Sequence, residues 1–180
     1  SSINRIEESD FIFLIGTNPR FEATILNARI RKSYLKNKTE IISLNNIGDL
    51  TYPYKKLEGN IDIIKEIVNE QHIISEKIKQ SQKPIIIIGQ SALEFKFGKY
   101  IFESIKSYLI KNKKISDNWN SLNIISENAS TVGSLDLGIF KTKDGSNEVL
   151  TDLENNKYEI VYLLGQDSLN FKKKNEFIIY

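Results

Sequence analysis

The sequence predicts an α/β fold, with a mostly parallel, Rossmann-like sheet between two layers of helices. Short apolar runs that are nearly continuous and rich in isoleucine are typical of strands covered on both faces. The segments between these runs carry apolar residues at helical spacing, and strand alternating with helix indicates βαβ units in a three-layer arrangement. The chain has 180 residues, of which 40% are hydrophobic. A chain of this size can bury a substantial core, so we expect one domain over residues 1–180.

The apolar runs predict six strands. These strands cover residues 11–15, 40–44, 84–88, 122–125, 160–164 and 177–180. The longest purely apolar runs, at 11–15 and 85–88, are far shorter than the roughly 20 residues that a membrane-spanning helix needs. We therefore expect no direct membrane span.

The first predicted helix has apolar residues on two opposite sides. It follows the loop at 16–18, with Asn18 as its N-cap and Pro19 in its first turn. One side carries Phe21, Ile25, Ala28 and Leu35, and the other carries Ala23, Leu26, Ile30 and Tyr34. We expect one side to pack on the sheet. The other side meets either another domain or subunit, or an internal neighbour within the same fold.

Two further predicted helices are apolar on one side only. Residues 61–80 follow Asn60, a natural N-cap, and place Ile63, Ile67, Ile74 and Ile78 on one stripe. Residues 92–111 begin with Ser91-Ala92-Leu93-Glu94, a pattern typical of a capping box. Their predicted apolar face consists of Leu93, Phe97, Tyr100, Ile101, Ile105, Tyr108 and Leu109. Each helix should cover the sheet with one side and expose the other.

Three predicted strands end in the same way, with glycine followed by small or amide-bearing residues: FIFLIGTN, PIIIIGQS and VYLLGQDS. The carboxyl ends of parallel strands lie along one edge of a sheet, and ligands of open α/β sheets bind at that edge. These turns therefore form the candidate pocket rim of this chain. Its residues are Gly16, Asn18, Gly89, Ser91, Gly165 and Asp167.

The glycine turn after the first strand has two interpretations. A helix N-terminus can bind phosphate through its free N–H groups and the positive end of the helix dipole. However, the sequence contains neither GxGxxG nor GxxxxGK followed by serine or threonine, the fingerprints of dinucleotide sites and P-loops. Asn18, Pro19 and Glu22 explain the turn as the start of a helix. We favour capping and expect no bound cofactor.

Composition excludes several kinds of chemistry. The absence of cysteine excludes disulfides, thiolate nucleophiles and cysteine-ligated zinc or iron-sulfur clusters within these residues. His72 is the only histidine, so a multi-histidine metal site is impossible. A net charge of +2 gives no broad field to recruit nucleic acid. We expect no catalytic residue and no metal ligand in this chain.

Three other features are interpreted less specifically. Arg29, Arg31, Lys32 and Lys36 make the second half of the first helix basic, which complements its dipole or forms a docking surface. Trp119, in the polar segment 112–120, is either a small core anchor or an interface anchor. His72 is predicted on the solvent-facing side of its helix, without a further role.

The run GTNPRFEATILNARIRKSYL closely resembles the large iron-sulfur subunit of respiratory complex I, the proton-pumping NADH:ubiquinone oxidoreductase. Further segments agree in order: IEESDFIFLIG, DLTYPYKKL, KPIIIIGQSAL, ASTVGSLDLG, VYLLGQDS and EFIIY. The N-terminal part of that family carries cysteine-ligated iron-sulfur clusters. Its C-terminal part resembles the molybdopterin oxidoreductase fold, without a retained molybdenum cofactor in most members. This chain resembles only the C-terminal part.

The resemblance implies a non-catalytic scaffold part of the peripheral arm of complex I, on the matrix side of the mitochondrial inner membrane. The implied partners are other peripheral-arm subunits, including the iron-sulfur domain of the same subunit or its split-off chain, and no nucleic acid. The iron-sulfur clusters would lie on that N-terminal part or on the separate chain. Two origins stay open, a segment of a longer subunit or the product of a split gene, and a bacterial source is a further alternative.

The competing interpretation assigns the chain to a different functional class of protein. It is a cofactor-binding α/β oxidoreductase domain that uses the edge at Gly16, Gly89 and Gly165 for a nucleotide or pterin.

Overall fold

A computed structural model of the chain describes residues 2–138, 151–155, 157–163 and 177–179. The chain divides into two compact units, Ser1–Glu127 and Asn128–Tyr180. The expectation of one domain over the whole chain stays a prediction. Among the described residues, none of the helices has the length and apolar character that crossing a bilayer requires.

A five-stranded sheet forms the centre of the first unit. The strands of this unit are β1 (Phe11–Ile15), β2 (Glu40–Leu44), β3 (Lys55–Leu57), β4 (Pro84–Gly89), β5 (Ile115–Ser116), β6 (Trp119–Asn120) and β7 (Leu122–Ile125). The sheet has the order β3-β2-β1-β4-β7, and all its neighbours pair in parallel. Every residue of β1 and β4 is buried, as expected for central strands that are covered on both faces. The predicted α/β fold is confirmed.

Two layers of helices cover this sheet. A 3-10 helix (Ile3–Glu8) precedes β1, and the α-helices of the unit are α1 (Pro19–Glu22), α2 (Thr24–Asn37), α3 (Ile61–Val68), α4 (Ile73–Gln80), α5 (Gln90–Glu94) and α6 (Gly98–Lys111). Alternate residues of β1 point to opposite faces. Phe13 packs with residues of α3, α4 and α6, whereas Ile12 and Leu14 pack with the 3-10 helix and α2.

Each of the three predicted helices is interrupted. Ala23, with φ of −152°, separates α1 from α2, and residues 69–72 separate α3 from α4. The third break, at residues 95–97, brings Gly98 against α5, where an added Cβ would lie 1.9 Å from the carbonyl oxygen of Leu93. Only glycine allows that approach, and the separate helix α6 begins at this residue.

These breaks correct several predicted positions. Of the stripe predicted for residues 61–80, Ile67, Ile74 and Ile78 are buried as expected, whereas Ile63 is only partly buried against the core and Ile64 is fully buried instead. His72 does not lie on the side of a continuous helix. It is the N-cap of α4, and its Nδ1 accepts a hydrogen bond from the backbone N–H of Ile74 at 3.2 Å. The N-cap predicted at Asn60 is confirmed.

The predicted start and apolar face of the third helix are partly wrong. The capping box at Ser91 does not form, because α5 begins at Gln90 with Gly89 as its N-cap. Phe97 and Tyr100 are exposed rather than part of the core. The buried face of α6 consists of Ile101, Ile105, Tyr108 and Leu109.

The polar segment 112–120 contains an antiparallel hairpin made by β5 and β6. Trp119 is buried, and its Nε1–H donates a hydrogen bond to the carbonyl oxygen of Pro84 at 2.9 Å. Of the two roles proposed for Trp119, the structure therefore supports the core anchor.

The second unit contains α7 (Thr131–Asp136), a helical segment at residues 151–154, β8 (Ile160–Tyr162) and β9 (Phe177–Ile179). Strands β8 and β9 pair in parallel. Two predicted strands are thus found with shorter bounds, and residues 164 and 180 of those predictions lie outside the described residues.

Candidate functional site

The switch point of the sheet lies between β1 and β4. These strands are neighbours, yet the chain leaves β1 toward α2 on one face and leaves β4 toward α5 and α6 on the other. Ligands of open α/β sheets bind outside the carboxyl ends of strands at such a point. Four of the predicted rim residues lie in two segments that meet here, which we call the two loops: Gly16 and Asn18 in the segment after β1, and Gly89 and Ser91 at the junction of β4 and α5. The other two, Gly165 and Asp167, lie outside the described residues.

The two loops at the switch point contact each other directly. The Ser91 hydroxyl donates a hydrogen bond to the carbonyl oxygen of Gly16 at 2.6 Å. A Cβ added to Gly89 would lie 2.1 Å from that same oxygen, and a Cβ added to Gly16 would lie 2.6 Å from the Cβ of Ala92. Gly16 also has φ of +57°, in the left-handed region. Both glycines therefore serve the packing of one loop on the other, and protein atoms fill the crevice.

The start of α1 is capped by side chains of its own loop. The Oδ1 atom of Asn18 accepts a hydrogen bond from the backbone N–H of Arg20 at 3.0 Å. The Glu22 carboxylate accepts one from the backbone N–H of Asn18 at 2.6 Å and one from the Thr17 hydroxyl at 2.7 Å. The predicted cap at Asn18 is confirmed. Glu22 occupies donors that a phosphate bound to this turn would need.

The capping turn is also tied to the loop after β2. The Nδ2 group of Asn18 donates to the carbonyl oxygen of Ile47, and the Arg20 guanidinium pairs with the Asp49 carboxylate. A hydrogen bond from the backbone N–H of Thr51, together with the charge of Arg20, lowers the pKa of Asp49 below its usual value. Asn18 therefore joins two loops in addition to starting a helix.

A cleft of about 570 Å³ opens beside this edge, between the strand ends and helices α3 and α6. Its volume lies in the range of small-molecule sites. The apolar side chains of the lining are Ile15, Leu44, Ile47, Ile61, Ile64, Ala92, Phe95, Phe97 and Ile101. Asparagine side chains, Ser91, Gly16 and Gly59 complete it, and no lysine, arginine or histidine is among these described residues. Gly16 and Ser91 of the predicted rim therefore line the cleft, whereas its wall at Phe97 was not predicted, because Phe97 was assigned to the buried face of a helix.

The described residues of this edge do not fit a nucleotide or a phosphorylated pterin. The crevice is filled, a carboxylate takes the donors of the capping turn, and the cleft offers no cation to neutralise a phosphate. The cleft is instead suited to an uncharged, apolar group. In the described parts of the chain, no three acidic or histidine side chains come together in a way that could hold a metal ion.

The whole chain, residues 1–180, matches the model of the molybdopterin oxidoreductase family. It is 40% identical, over 98% of its length, to the NADH-ubiquinone oxidoreductase 75 kDa subunit of Reclinomonas americana. It is 34% identical to the mitochondrial NADH-ubiquinone oxidoreductase 78 kDa subunit of Candida albicans and 32% identical to a subunit of the NADH-quinone oxidoreductase of Rickettsia bellii, in both cases over 100% of its length. The chain spans only about a quarter of the length of these relatives, 24% to 25%.

Proposed function

We infer the function from one premise, namely that the chain belongs to the molybdopterin oxidoreductase family. The chain is a non-catalytic scaffold domain in the peripheral arm of NADH:ubiquinone oxidoreductase, respiratory complex I. The three relatives support this assignment, since each is named as a subunit of an NADH-ubiquinone or NADH-quinone oxidoreductase. The chain supports the iron-sulfur domain of that subunit and the neighbouring subunits, and the clusters lie on polypeptide outside these residues.

One observation favours a scaffold over a cofactor-binding domain, the closed switch point of the sheet. Gly16 and Gly89 are the residues that a cofactor-binding domain would use to let a ligand approach the backbone. Here each approaches other protein atoms instead, at distances that leave no room even for a Cβ. A ligand between Gly16 and Gly89 would need the two loops to separate, and a phosphate at the turn of Asn18 would need Glu22 to release its two donors. The adjoining cleft is open, but it has no cationic side chain among its described residues.

The proposed location is the matrix side of the mitochondrial inner membrane, as a peripheral component. The 78 kDa relative from Candida albicans is mitochondrial by name, and the Rickettsia bellii relative is a bacterial protein. A domain in the peripheral arm of complex I would lie on the matrix face of the inner membrane.

A native gel tests the proposal. Solubilised membranes are separated without denaturant, stained for NADH dehydrogenase activity, and probed for this chain and for the polypeptide that carries iron-sulfur clusters. We expect the chain in the active band, at one copy per cluster-bearing polypeptide. Its absence from every band with that activity would refute the proposed function.

A variant tests the scaffold role within the same complex. Asn18→Ala removes the cap of α1 and weakens the fold, but it touches no group that carries electrons. Complex assembled with the variant should oxidise NADH at the parent rate per assembled particle. A purified variant complex that keeps all its subunits yet has lost NADH oxidation would contradict the non-catalytic role.

A further inference from the structure

Phe21 of α1 and the outer face of α2 are apolar and exposed. We call the exposed residues Phe21, Ile25, Ala28 and Leu35 the outer ridge. The exposed fractions of its three large members are 78% for Phe21, 67% for Ile25 and 58% for Leu35. The opposite side of α2 packs on the sheet through Ile30, which is completely buried. Of the two apolar sides predicted for this helix, one covers the sheet, and no described part of the chain covers the other.

Basic side chains border the outer ridge. With 3.6 residues per turn, Lys32 lies within the exposed face of α2, and Arg31 and Lys36 lie on its two flanks. Lys32 pairs with the Glu7 carboxylate at 2.9 Å. Arg31 donates to the carbonyl oxygen of Thr51 at 2.6 Å. Neither Arg31 nor Lys36 has a carboxylate partner in the part of the chain that the structure describes.

Other cations of the same unit pair with carboxylates of the chain. Arg20 pairs with Asp49, and Arg29 pairs with Glu7. At the start of β2, the Glu40 carboxylate pairs with both Lys55 and Lys77, in each case at 2.6 Å. Among the described residues, Arg31 and Lys36 instead place positive charge without a carboxylate partner beside the exposed apolar side chains of the outer ridge.

We propose that the outer ridge is the docking surface for a separate subunit whose contacting segment carries apolar side chains bordered by aspartate or glutamate. This inference rests on the proposed function, which places the chain among other subunits. Docking would remove Phe21, Ile25 and Leu35 from water, which favours association. Carboxylates of the partner would face Arg31 and Lys36 and would select both the partner and its orientation.

The charge pattern disfavours other occupants. A second copy of the chain would bring the same basic border against itself, and like charges across an interface oppose association. Nucleic acid and anionic lipid respond to a broad positive field, whereas the whole chain has a net charge of only +2. An acidic protein surface matches the local pattern without requiring a strongly basic chain.

Site-specific photo-crosslinking in the intact complex tests the inference. A benzophenone amino acid replaces Phe21, and in a matched control it replaces Phe95, which has a similar exposed fraction of 72%. Phe95 lies between α5 and α6, which pack against the opposite face of the sheet. Crosslinked peptides are identified by mass spectrometry. The position of Phe21 should crosslink to one segment of another subunit that contains apolar and acidic residues, and the position of Phe95 should not crosslink to that segment.

A charge variant supplies the second readout. Lys36→Glu should lower the yield of the Phe21 crosslink by roughly tenfold at low salt, the size expected when one interfacial charge is reversed. Lys36→Arg, which keeps the charge, should retain the yield. Unchanged fluorescence of Trp119 would show that both variants fold.

Several results would overturn the inference. They are a crosslinked peptide without acidic residues, a product with a second copy of this chain, a product with lipid, or no product from the position of Phe21 in a complex that contains the chain. The last result would leave the proposed function standing. If the chain is absent from the complex altogether, the proposed function fails and the docking surface fails with it.

Discussion

Gly89 allows the closest approach between the loops at the switch point, and replacing it tests whether protein atoms fill the crevice. Its φ of −79° suits any residue. The only obstacle to alanine at position 89 is therefore the lack of space for its Cβ. The new Cβ would lie 2.1 Å from the carbonyl oxygen of Gly16 and 2.7 Å from the Cβ of Thr17, whereas ordinary contact begins near 3.4 Å. The loop would have to move by more than an ångström. Overpacking of this kind costs about 1–3 kcal/mol, and we expect the upper end because the obstacle is backbone.

Urea unfolding followed by tryptophan fluorescence measures the effect. Trp119 is the only tryptophan of the chain and is buried in the first unit, so its signal reports on the unit that contains Gly89. The control within the same unit is Gly59→Ala, where the three nearest atoms to an added Cβ all belong to the side chain of Ile63. That side chain can move aside, so the loss of stability should be smaller than for Gly89→Ala, where the obstacle is backbone. A Gly89→Ala variant within about 0.5 kcal/mol of the parent would refute the closed crevice.

Three other predictions concern single polar groups of the first unit. Asn18→Ala should lower the free energy of unfolding by about 1 kcal/mol through the lost cap, and Asn18→Ser, which also lacks the amide that donates to Ile47 but can keep the cap, should lose less. Burial raises the pKa of Asp10, but hydrogen bonds from Ser81 and two backbone N–H groups outweigh it and lower the pKa below its usual value. The stabilisation by Asp10 is therefore present above the unfolded-state pKa and is lost as the pH falls through the folded-state pKa, so Asp10→Asn should flatten the acid side of the stability curve. Burial, and then the charge of Glu70, raise the pKa of Tyr108 from 10.0 to about 12, so stability should decline as the pH rises through that interval, and Tyr108→Phe should reduce the decline. Urea unfolding at a series of pH values measures all three.

Each of these predictions has a clear contrary result. Equal midpoints for Asn18→Ala and Asn18→Ser would show that the cap does not contribute to stability as described. If the free energy of unfolding falls equally at acid pH for Asp10→Asn and for the parent, the carboxylate is not stabilised by its hydrogen bonds as described. If the stability of Tyr108→Phe declines as steeply as that of the parent above pH 10.0, the result would contradict the burial of the phenol.

The central strands could be predicted from the sequence because both of their faces are buried. β1 and β4 are apolar at every position from Phe11 to Ile15 and from Ile85 to Ile88, so no polar residue interrupts the signal. β3 was not predicted, because this edge strand consists of two exposed lysines and one leucine. An edge strand with one solvated side and such a composition has no pattern that distinguishes it from a loop.

The helix breaks were not predictable from periodicity. Apolar residues continue at helical spacing across residues 61–80. Nevertheless α3 ends at Val68, and Glu70 adopts φ of +65° in the segment that follows. The signal that could have shown the break is the polar run Asn69-Glu70-Gln71-His72, in which the last residue caps the next helix.

The place of the candidate site could be predicted from the sequence, but the contacts within it could not. The topology of a parallel sheet was enough to bring Gly16 and Gly89 to one edge. The hydrogen bond from Ser91 to Gly16 joins residues 75 positions apart, and no local pattern reveals such a contact. The sequence favoured capping over a bound ligand at this edge, and the packing of the two loops adds a physical argument for that proposal.

Mass spectrometry of the material released when the purified protein is denatured shows whether this domain holds a cofactor. We expect no stoichiometric pterin or nucleotide, because protein atoms meet at the switch point and the adjacent cleft has no cationic side chain among its described residues. One equivalent of either compound per chain would contradict this expectation.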